Sequence, residues 1–296
     1  MKDELSKPEQ NTLALVYDFD GTLTPQPMQE YTVLPELELE AEDFWKEVDE
    51  ERNRTGGDPI LTYMRLLIEK IEERKAHLSR DSLRKLATLI EYYPGVETWF
   101  NRINKYVAEK SNSMVDTRHY IVSAGLGEIL EGISIKKFFR KIYASQYYFD
   151  HHEVARFPTT VINDTAKTQY LFRINKGLEE TSEDINSFMP EVDRPIPFRN
   201  MLYIGDGLTD VPSMSVVKNY GGYAIAVHKP NDSKTIGVCR QLLAANRIDF
   251  FSSADYSHKS DLEHLVHKVL DLMLARAAFE KERVQFTSQT DRQIDD

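Results

Sequence analysis

The stretch Thr12-Leu-Ala-Leu-Val-Tyr-Asp-Phe-Asp20, followed by Gly21 and Thr22, decides the fold. Its apolar run is short and ends in two carboxylates and a glycine, which is typical of a buried strand that opens into a loop. Similar apolar runs recur along the chain, with helical segments between them, at residues 119–123, 201–206, 223–227 and 248–251. This alternation predicts an α/β fold with a doubly wound parallel sheet.

A charged, helical segment at residues 26–92 interrupts the chain directly after the first strand and its loop. Gly56-Gly57-Asp58-Pro59 breaks this segment, so we expect at least three helices there. We predict that residues 26–92 form an inserted helical cap and that residues 12–25 and 93–284 form the α/β core domain. The polar ends, 1–11 and 285–296, are predicted to be flexible tails.

Two further segments have clear local patterns. Aromatic and polar residues alternate over 141–157, which predicts a hairpin, and residues 167–176 have helical character. A further amphipathic helix is predicted over residues 262–279, and Gly125 and Gly127 are expected to open a helix after the second strand.

Composition narrows the class of function. The 296 residues carry a net charge of -11, which argues against a nucleic-acid partner, because nonspecific binding to nucleic acid relies on basic surfaces. The single cysteine, Cys239, excludes an intramolecular disulfide framework, and a cytoplasmic location is the expectation. No apolar run approaches the ~20 residues that a membrane span needs, so no membrane partner is expected.

Polar groups follow three of the predicted strands. Asp18 and Asp20 end the first, Ser123 ends the second, and Asp206 and Asp210 follow the third. The carboxyl ends of parallel strands meet at one edge of a sheet, so these groups are expected to converge. Clustered carboxylates repel one another without a cation, and oxygen ligands alone favour a hard ion. The sequence therefore predicts a Mg²⁺ site at this edge.

The same residue types suit phosphoryl transfer, which needs a nucleophile, a proton donor and positive charge. Asp18 is the predicted nucleophile, and Asp20, two residues on, is the predicted acid and base. Thr22 and Ser123 are predicted to donate hydroxyl hydrogens to the phosphoryl oxygens. Lys167 is predicted to neutralise both Asp18 and the phosphoryl group.

Simpler interpretations compete with these assignments. An Asp-x-Asp-Gly stretch can open a calcium loop, but Leu23 and Gln29 occupy the positions that such a loop gives to Gly and Glu. Ser123 could be a helix N-cap, and Asp206 and Asp210 could form a polar turn with a cap. The lysines that compete with Lys167 for the site are Lys136, Lys137 and Lys176.

At this point the sequence resembles the haloacid dehalogenase-like superfamily of hydrolases. Asp18-Phe-Asp-Gly-Thr-Leu-Thr24 is similar to its first motif, Ile121-Val-Ser-Ala-Gly125 to its second, Lys167 to its third-motif lysine and Gly205-Asp-Gly-Leu-Thr-Asp210 to its fourth. The placement of the cap and the hairpin resembles the phosphoserine phosphatase-like branch.

The resemblance also implies which groups bind the metal. It implies that Asp18, the main-chain carbonyl of Asp20 and Asp206 bind Mg²⁺, with Asp210 in a direct or supporting role.

The expected function is a Mg²⁺-dependent phosphatase that hydrolyses a small phosphorylated metabolite through an aspartyl phosphate. Asp20 argues against dehalogenases and phosphonate-cleaving relatives, which do not need a leaving-group acid. A phosphomutase or phosphotransferase uses the same pair of aspartates, so this alternative stays open. A noncatalytic binding protein of the same fold is the second alternative.

Overall fold

A computed structural model describes residues 10–294, apart from the side chains of residues 284, 285 and 287–294. One seven-stranded sheet carries the fold, with strand order β4-β3-β2-β1-β5-β6-β7. The strands are β1 (Thr12–Tyr17), β2 (Asp116–Leu126), β3 (Phe139–Phe149), β4 (Ala155–Thr160), β5 (Met201–Gly205), β6 (Tyr223–His228) and β7 (Phe250–Ser253). The pairs are parallel except β3 with β4, which is antiparallel. The predicted α/β fold class and the hairpin are confirmed.

Eleven α-helices connect the strands in the described part of the chain. They are α1 (Met28–Tyr31), α2 (Val33–Glu36), α3 (Ala41–Thr55), α4 (Pro59–Glu73), α5 (Arg80–Leu86), α6 (Val96–Lys110), α7 (Gly127–Leu130), α8 (Lys167–Lys176), α9 (Val211–Asn219), α10 (Ser233–Ala244) and α11 (Asp261–Ile294). Helices α1 to α5 all lie within residues 26–92, the segment predicted to be a cap. The division into core and cap stays a prediction.

Two hydrophobic clusters cover the two faces of the sheet, because successive side chains of a strand point to opposite faces. In β1, Leu15 belongs to the first cluster and Val16 to the second. The first cluster also takes in α6, α11 and the cap helices, whereas α8, α9 and α10 pack in the second. The sheet is therefore buried on both sides, which explains why β1 is apolar at every position but Thr12.

The break between α3 and α4 forms as predicted. Gly56 ends α3 in the left-handed conformation, with φ of 69°. Asp58 then caps α4: its Oδ1 accepts from the backbone N–H groups of Ile60 and Leu61 at 2.9 and 3.0 Å. The cap therefore contains two long helices that meet at Gly56–Asp58.

Two element boundaries differ from the prediction. Strand β2 continues past Ser123 to Leu126, because Leu126 pairs with Ser145 of β3 after a register shift. Gly125 therefore lies in the strand, and Ser123 is not a helix N-cap, since Leu126 precedes α7. Helix α11 extends to Ile294, beyond the predicted end at 279. Of the predicted tails, residues 1–9 and 295–296 lie outside the described residues, and flexibility of the tails stays a prediction.

Candidate active site

The central strands bring the predicted acidic residues to one edge of the sheet. Asp18 follows β1 directly, and Asp206 follows β5 directly. The backbone N–H of Asp18 donates to the carbonyl of Ile204 at 3.0 Å, so the β1–β5 ladder continues into the loop. This bond fixes the Asp18 backbone beside the strand that leads to Asp206.

Lys167 connects Asp18 with Asp210. Its Nζ lies 3.0 Å from Asp18 Oδ1 and 2.8 Å from Asp210 Oδ1. Lys167 is the first residue of α8 and is 2 % exposed, so its charge is almost fully removed from water. A buried ammonium is tolerated only with charged partners, and here it has two. The prediction that Lys167 neutralises Asp18 agrees with this geometry, and α8 places it there.

Asp210 is fully buried and accepts from three donors. Oδ1 accepts from Lys167 Nζ and, at 2.7 Å, from the Tyr203 hydroxyl, while Oδ2 accepts from the backbone N–H of Asp206 at 3.1 Å. A Cβ on Gly205 would lie 2.3 Å from Asp210 Oδ2, so only glycine fits at the end of β5. Asp210 therefore contacts both Lys167 and the backbone of Asp206.

Carboxylate oxygens of Asp18, Asp206 and Asp210 lie within 4.8 Å of one another. We call these three residues and Lys167 the carboxylate cluster. Gly21 lets the first loop approach it: its φ is +77°, and a Cβ there would lie 2.3 Å from Asp206 Oδ2. An all-oxygen donor set of this kind fits Mg²⁺.

The three carboxylates of the carboxylate cluster outnumber its one cationic side chain, that of Lys167. Burial raises the pKa of Asp18 to about 7, the Lys167 charge opposes the rise and the Asp210 charge adds to it. Burial and the charges of Asp210 and Asp18 raise the pKa of Asp206 well above its usual range. Burial disfavours charged Lys167, yet the charges of Asp18 and Asp210 outweigh it and raise the lysine pKa. A divalent cation beside Asp18 and Asp206 would stabilise their ionised forms.

Asp20 lies on the cap side of the nucleophile. Its Oδ1 accepts from the backbone N–H of Met28 at 2.7 Å. A Cβ on Gly125 would lie 3.0 Å from its other oxygen, so the first and second motifs meet at this carboxyl. Burial and the Asp18 charge raise the pKa of Asp20 to about 8, against the Met28 hydrogen bond. The raised pKa favours the protonated form of Asp20, which suits a proton donor.

Thr22 and Ser123 are both fully buried. Ser123 Oγ accepts from the Gly125 backbone N–H at 3.0 Å, within the last part of β2. Thr22 Oγ1 has no hydrogen-bond partner among the described residues, while the Thr22 carbonyl accepts from the Tyr256 hydroxyl at 2.9 Å. Contact of either hydroxyl with a phosphoryl group stays a prediction.

No family model matches the chain. An uncharacterized protein of Borreliella burgdorferi is 27% identical over 277 residues, covering 86% of this chain and 94% of that protein. A hydrolase of the haloacid dehalogenase family from Salmonella enterica serovar Typhi superposes with a TM-score of 0.55 at 15% identity, covering 86% of this chain and 73% of the other.

Two further solved structures carry phosphoserine phosphatase in their names. An apo phosphoserine phosphatase gives a TM-score of 0.52 at 16% identity and covers 82% of this chain and 95% of its own. A probable phosphoserine phosphatase from Vibrio cholerae gives a TM-score of 0.52 at 11% identity. The match covers 94% of this chain and 68% of the other. The chain has the haloacid dehalogenase-like fold. The resemblance that the motifs indicated is thereby confirmed at the level of the fold.

Several contacts join residues 26–92, the segment predicted to be the cap, to the rest of this haloacid dehalogenase-like fold. The Tyr63 hydroxyl on α4 donates to the carbonyl of Ala124 at 3.0 Å. The Asn163 amide donates to Asp58 Oδ2 at 2.7 Å, four residues before Lys167. The Tyr147 hydroxyl of β3 donates to a carbonyl of α4 at 2.8 Å. Helix α4 and its N-cap Asp58 therefore pack near the end of β2 and the segment that precedes Lys167.

Sequence reasoning missed several residues of this site. Tyr203 points its hydroxyl at Asp210 from inside β5, and only the inward register of that strand could have indicated it. Asn163 precedes α8, where an Asn is usually explained by a turn. Asp164 is partly buried, and burial together with the charges of Asp210 and Asp58 raises its pKa, against the charge of Lys167.

Within the described residues, no helix combines the length and apolar character required to cross a membrane.

Proposed function

We propose that this protein is a Mg²⁺-dependent phosphatase that hydrolyses a small phosphorylated metabolite through an aspartyl phosphate on Asp18. The observation that carries this proposal is the contact of Lys167 with both Asp18 and Asp210, at 3.0 and 2.8 Å, at the edge where β1 and β5 end. A buried nucleophile, cation and acid at one strand edge fit phosphoryl transfer better than a passive binding site.

The proposed first step forms a bond between an oxygen of Asp18 and phosphorus, while the bond from phosphorus to the leaving oxygen breaks. Asp20 is protonated, because burial and the Asp18 charge raise its pKa to about 8. It donates this proton to the leaving oxygen, so the product departs as a neutral alcohol. Lys167 keeps Asp18 ionised and neutralises charge on the phosphoryl oxygens.

In the second step, Asp20 accepts a proton from the attacking water. The new bond joins the water oxygen to phosphorus, and the bond from phosphorus to Asp18 breaks. Inorganic phosphate leaves, Asp18 is again a carboxylate and Asp20 is again protonated, so protons balance over the cycle.

The donor set fits Mg²⁺ at Asp18, the Asp20 carbonyl and Asp206, with Asp210 in support. When bound, the ion would supply positive charge that offsets the negative charge of the phosphoryl oxygens. Because all three hydrogen bonds to Asp210 come from within the site, we assign it to positioning Lys167 and Asp206 rather than to direct coordination.

A screen of phosphorylated metabolites for release of inorganic phosphate tests the proposal. We expect turnover with Mg²⁺ and loss of turnover in EDTA. With Ca²⁺ we expect poor turnover, because its looser coordination misplaces the nucleophile. Release of free phosphate also separates a phosphatase from a phosphomutase, which retains the phosphoryl group. Full turnover in EDTA would contradict the metal assignment.

A further inference from the structure

The helix that carries Lys167, α8, is held differently at its two ends. At the C-terminal end, the buried Arg173 donates to four backbone carbonyls of the loop that follows the helix. At the N-terminal end, Ala166 occupies the cap position and has no side chain that could accept from the first backbone N–H groups. Acceptors for this end come from one earlier residue, Asn163.

Asn163 supplies acceptors to the start of α8 through both its backbone and its side chain. Its carbonyl accepts from the Lys167 N–H at 3.1 Å, and its Oδ1 accepts from the Ala166 N–H at 2.9 Å and the Thr165 hydroxyl at 3.2 Å. These bonds fix the turn from which the Lys167 side chain extends. Rotation of the Asn163 amide would take the acceptor away from the Ala166 N–H.

The orientation of the Asn163 amide is set by Asp58. The Asn163 Nδ2 donates to Asp58 Oδ2 at 2.7 Å, in a half-buried contact between α4 and the start of α8. An asparagine amide has a donor end and an acceptor end. Because the donor end points to Asp58, the acceptor end points to Ala166.

Asp58 is itself held by the first turn of α4. Its Oδ1 accepts from the N–H groups of Ile60 and Leu61, and its carbonyl accepts from the Thr62 N–H at 2.9 Å and the Thr62 hydroxyl at 2.7 Å. With one carboxylate oxygen used by the helix cap, the other is directed at Asn163. Asp58 Oδ2 is therefore an acceptor in a fixed place.

The side chain at the end of this chain of contacts depends on accurate placement. Lys167 Nζ lies 3.0 Å from Asp18 Oδ1 and 2.8 Å from Asp210 Oδ1, and the side chain is 2 % exposed. Misplacement of a group in an active site by 1 Å can lower the rate by about 100-fold. A shift of the first turn of α8 would therefore reach the nucleophile through Lys167.

We propose that Asn163 is a positioning residue for Lys167 and that Asp58 holds Asn163 in the orientation which this requires. Lys167 acts on the nucleophile and the phosphoryl group, which every ester presents, so the pair should govern the rate of phosphoryl transfer and leave the order of preference among esters unchanged. The proposal rests on the phosphatase function and adds two residues that act through Lys167.

The test exchanges the two side chains. In Asp58→Asn, two amide N–H groups face each other across the contact, and in Asn163→Asp, two carboxylates do. In the double variant Asp58→Asn/Asn163→Asp, the amide at position 58 donates to the carboxylate at position 163, and each side chain keeps an oxygen for its own helix. The double variant also has the same composition and net charge as the unmodified protein.

Activity is measured with Mg²⁺ on p-nitrophenyl phosphate and on the alkyl phosphate with the highest turnover in the metabolite screen. We expect each single variant to lower kcat about tenfold, by the same factor for both esters, because the loss passes through Lys167. The double variant should return kcat to within about threefold of the unmodified protein, since it restores the hydrogen bond.

Hydrogen exchange gives a second measurement that does not depend on activity. The amides of residues 163–168 should exchange about tenfold faster in both single variants and at the original rate in the double variant, because the hydrogen bond orders the start of α8. The remainder of α8 should keep its exchange rates. Exchange that is faster throughout α8 would assign the contact to the general stability of the fold and would overturn the positioning role.

Asp150→Asn is the matched control. Asp150 Oδ1 accepts from the N–H groups of His152 and Val154, and its Oδ2 accepts from the Arg156 side chain at 2.7 Å, which is the same arrangement as at Asp58. This contact stays within the β3–β4 hairpin. In the control, kcat and exchange at the start of α8 should therefore equal those of the unmodified protein.

Unchanged kcat in both single variants, or a double variant as slow as the single variants, would overturn the positioning role while leaving phosphatase activity established. Losses that differ tenfold or more between the two esters would also overturn it, because they would assign the pair to recognition of the leaving group. Absence of phosphate release from every ester by the unmodified protein would instead remove the proposed function.

Discussion

The carboxylate cluster is built differently from a second group of buried polar side chains, which we call the acceptor cluster: Gln29, Tyr63, Glu128 and Tyr147. In the carboxylate cluster, the Asp210 carboxylate is satisfied by the protein itself: it accepts from Lys167, Tyr203 and the Asp206 backbone. In the acceptor cluster, Gln29 and Glu128 each keep a buried acceptor atom for which the described part of the chain supplies no donor.

This difference separates two tasks. The carboxylate cluster is assembled before any substrate arrives, as expected for groups that must act on every phosphate ester. The acceptor cluster packs against helix α4 of the segment predicted to be the cap, which is expected to select one ester. Changes in the first should depress all substrates alike, and changes in the second should alter their ranking.

The largest effect is expected from Asp18→Asn. An amide cannot form the acyl phosphate, so turnover of every ester should fall by ~10⁴-fold or more. Steady-state phosphate release measures this loss. Asp116→Asn, at the opposite end of the neighbouring strand β2, is the matched control and should retain activity. Near-normal turnover in Asp18→Asn would assign the nucleophile elsewhere.

Asp20→Asn should depend on the leaving group. The amide keeps an oxygen for the Met28 N–H but has no acidic proton, so kcat for alkyl phosphates should fall ~10²–10⁴-fold. An aryl phosphate, whose leaving group needs little protonation, should lose less in its first step. Burst kinetics with the two ester types measure the contrast, and equal losses would show that Asp20 is not the leaving-group acid.

Asp210→Asn tests the proposal that Asp210 positions Lys167 and Asp206 for the metal. It removes one of the oxygens that accept from Lys167, Tyr203 and Asp206, so the Mg²⁺ concentration for half-maximal activity should rise about 10–100-fold. Titration of activity with Mg²⁺ gives this value. The order of preference among esters should stay unchanged. A changed order would show that the two clusters do not have separate functions.

The smallest expected effect is on the stability of the fold, and it comes from the buried side chain of His119. The Trp99 indole donates to the Tyr17 oxygen at 3.0 Å, Tyr17 and His119 Nδ1 lie 3.1 Å apart, and His119 Nε2 lies 2.8 Å from Asn104 Oδ1. Burial lowers the pKa of His119 to about 3. The unfolded chain, with an ordinary His pKa of about 6.5, binds more protons between these values, so stability is complete above pH 6.5 and declines as pH falls.

This one histidine should cost ~1.4 kcal/mol of unfolding free energy per pH unit below 6.5, or about 2 kcal/mol at pH 5. Urea unfolding at several pH values measures the decline. His119→Gln is less stable at pH 7 but should show a shallower decline. An equal slope in both proteins would mean that His119 is not the titrating group.

Much of the carboxylate cluster could be predicted from sequence because its residues follow apolar strands directly. A short run such as the one ending at Asp18 places a carboxylate at a known edge of the sheet, and Lys167 begins a helix that the periodicity marks. Tyr203 could not be predicted in this role, since a buried strand tyrosine is usually explained by packing.

The acceptor cluster could not be predicted, because four short segments contribute one residue each and only tertiary packing brings them together. Gln29 mattered in the sequence only as the residue that rules out a calcium loop. Glu128 would be exposed on an ordinary helix, yet α7 has only four residues and packs against β3, which buries the carboxyl. The extension of β2 past Ser123 likewise depends on pairing with β3.

The most direct test of the central claim is to quench the enzyme in acid during turnover and map phosphorylation by peptide mass spectrometry. We expect the phosphoryl group on Asp18 in the Mg²⁺-loaded protein, a larger phosphorylated fraction with an aryl phosphate in Asp20→Asn, because activation of water is slowed, and none in Asp18→Asn. Rapid phosphate release with no phosphorylated Asp18 at any quench time would contradict the covalent mechanism.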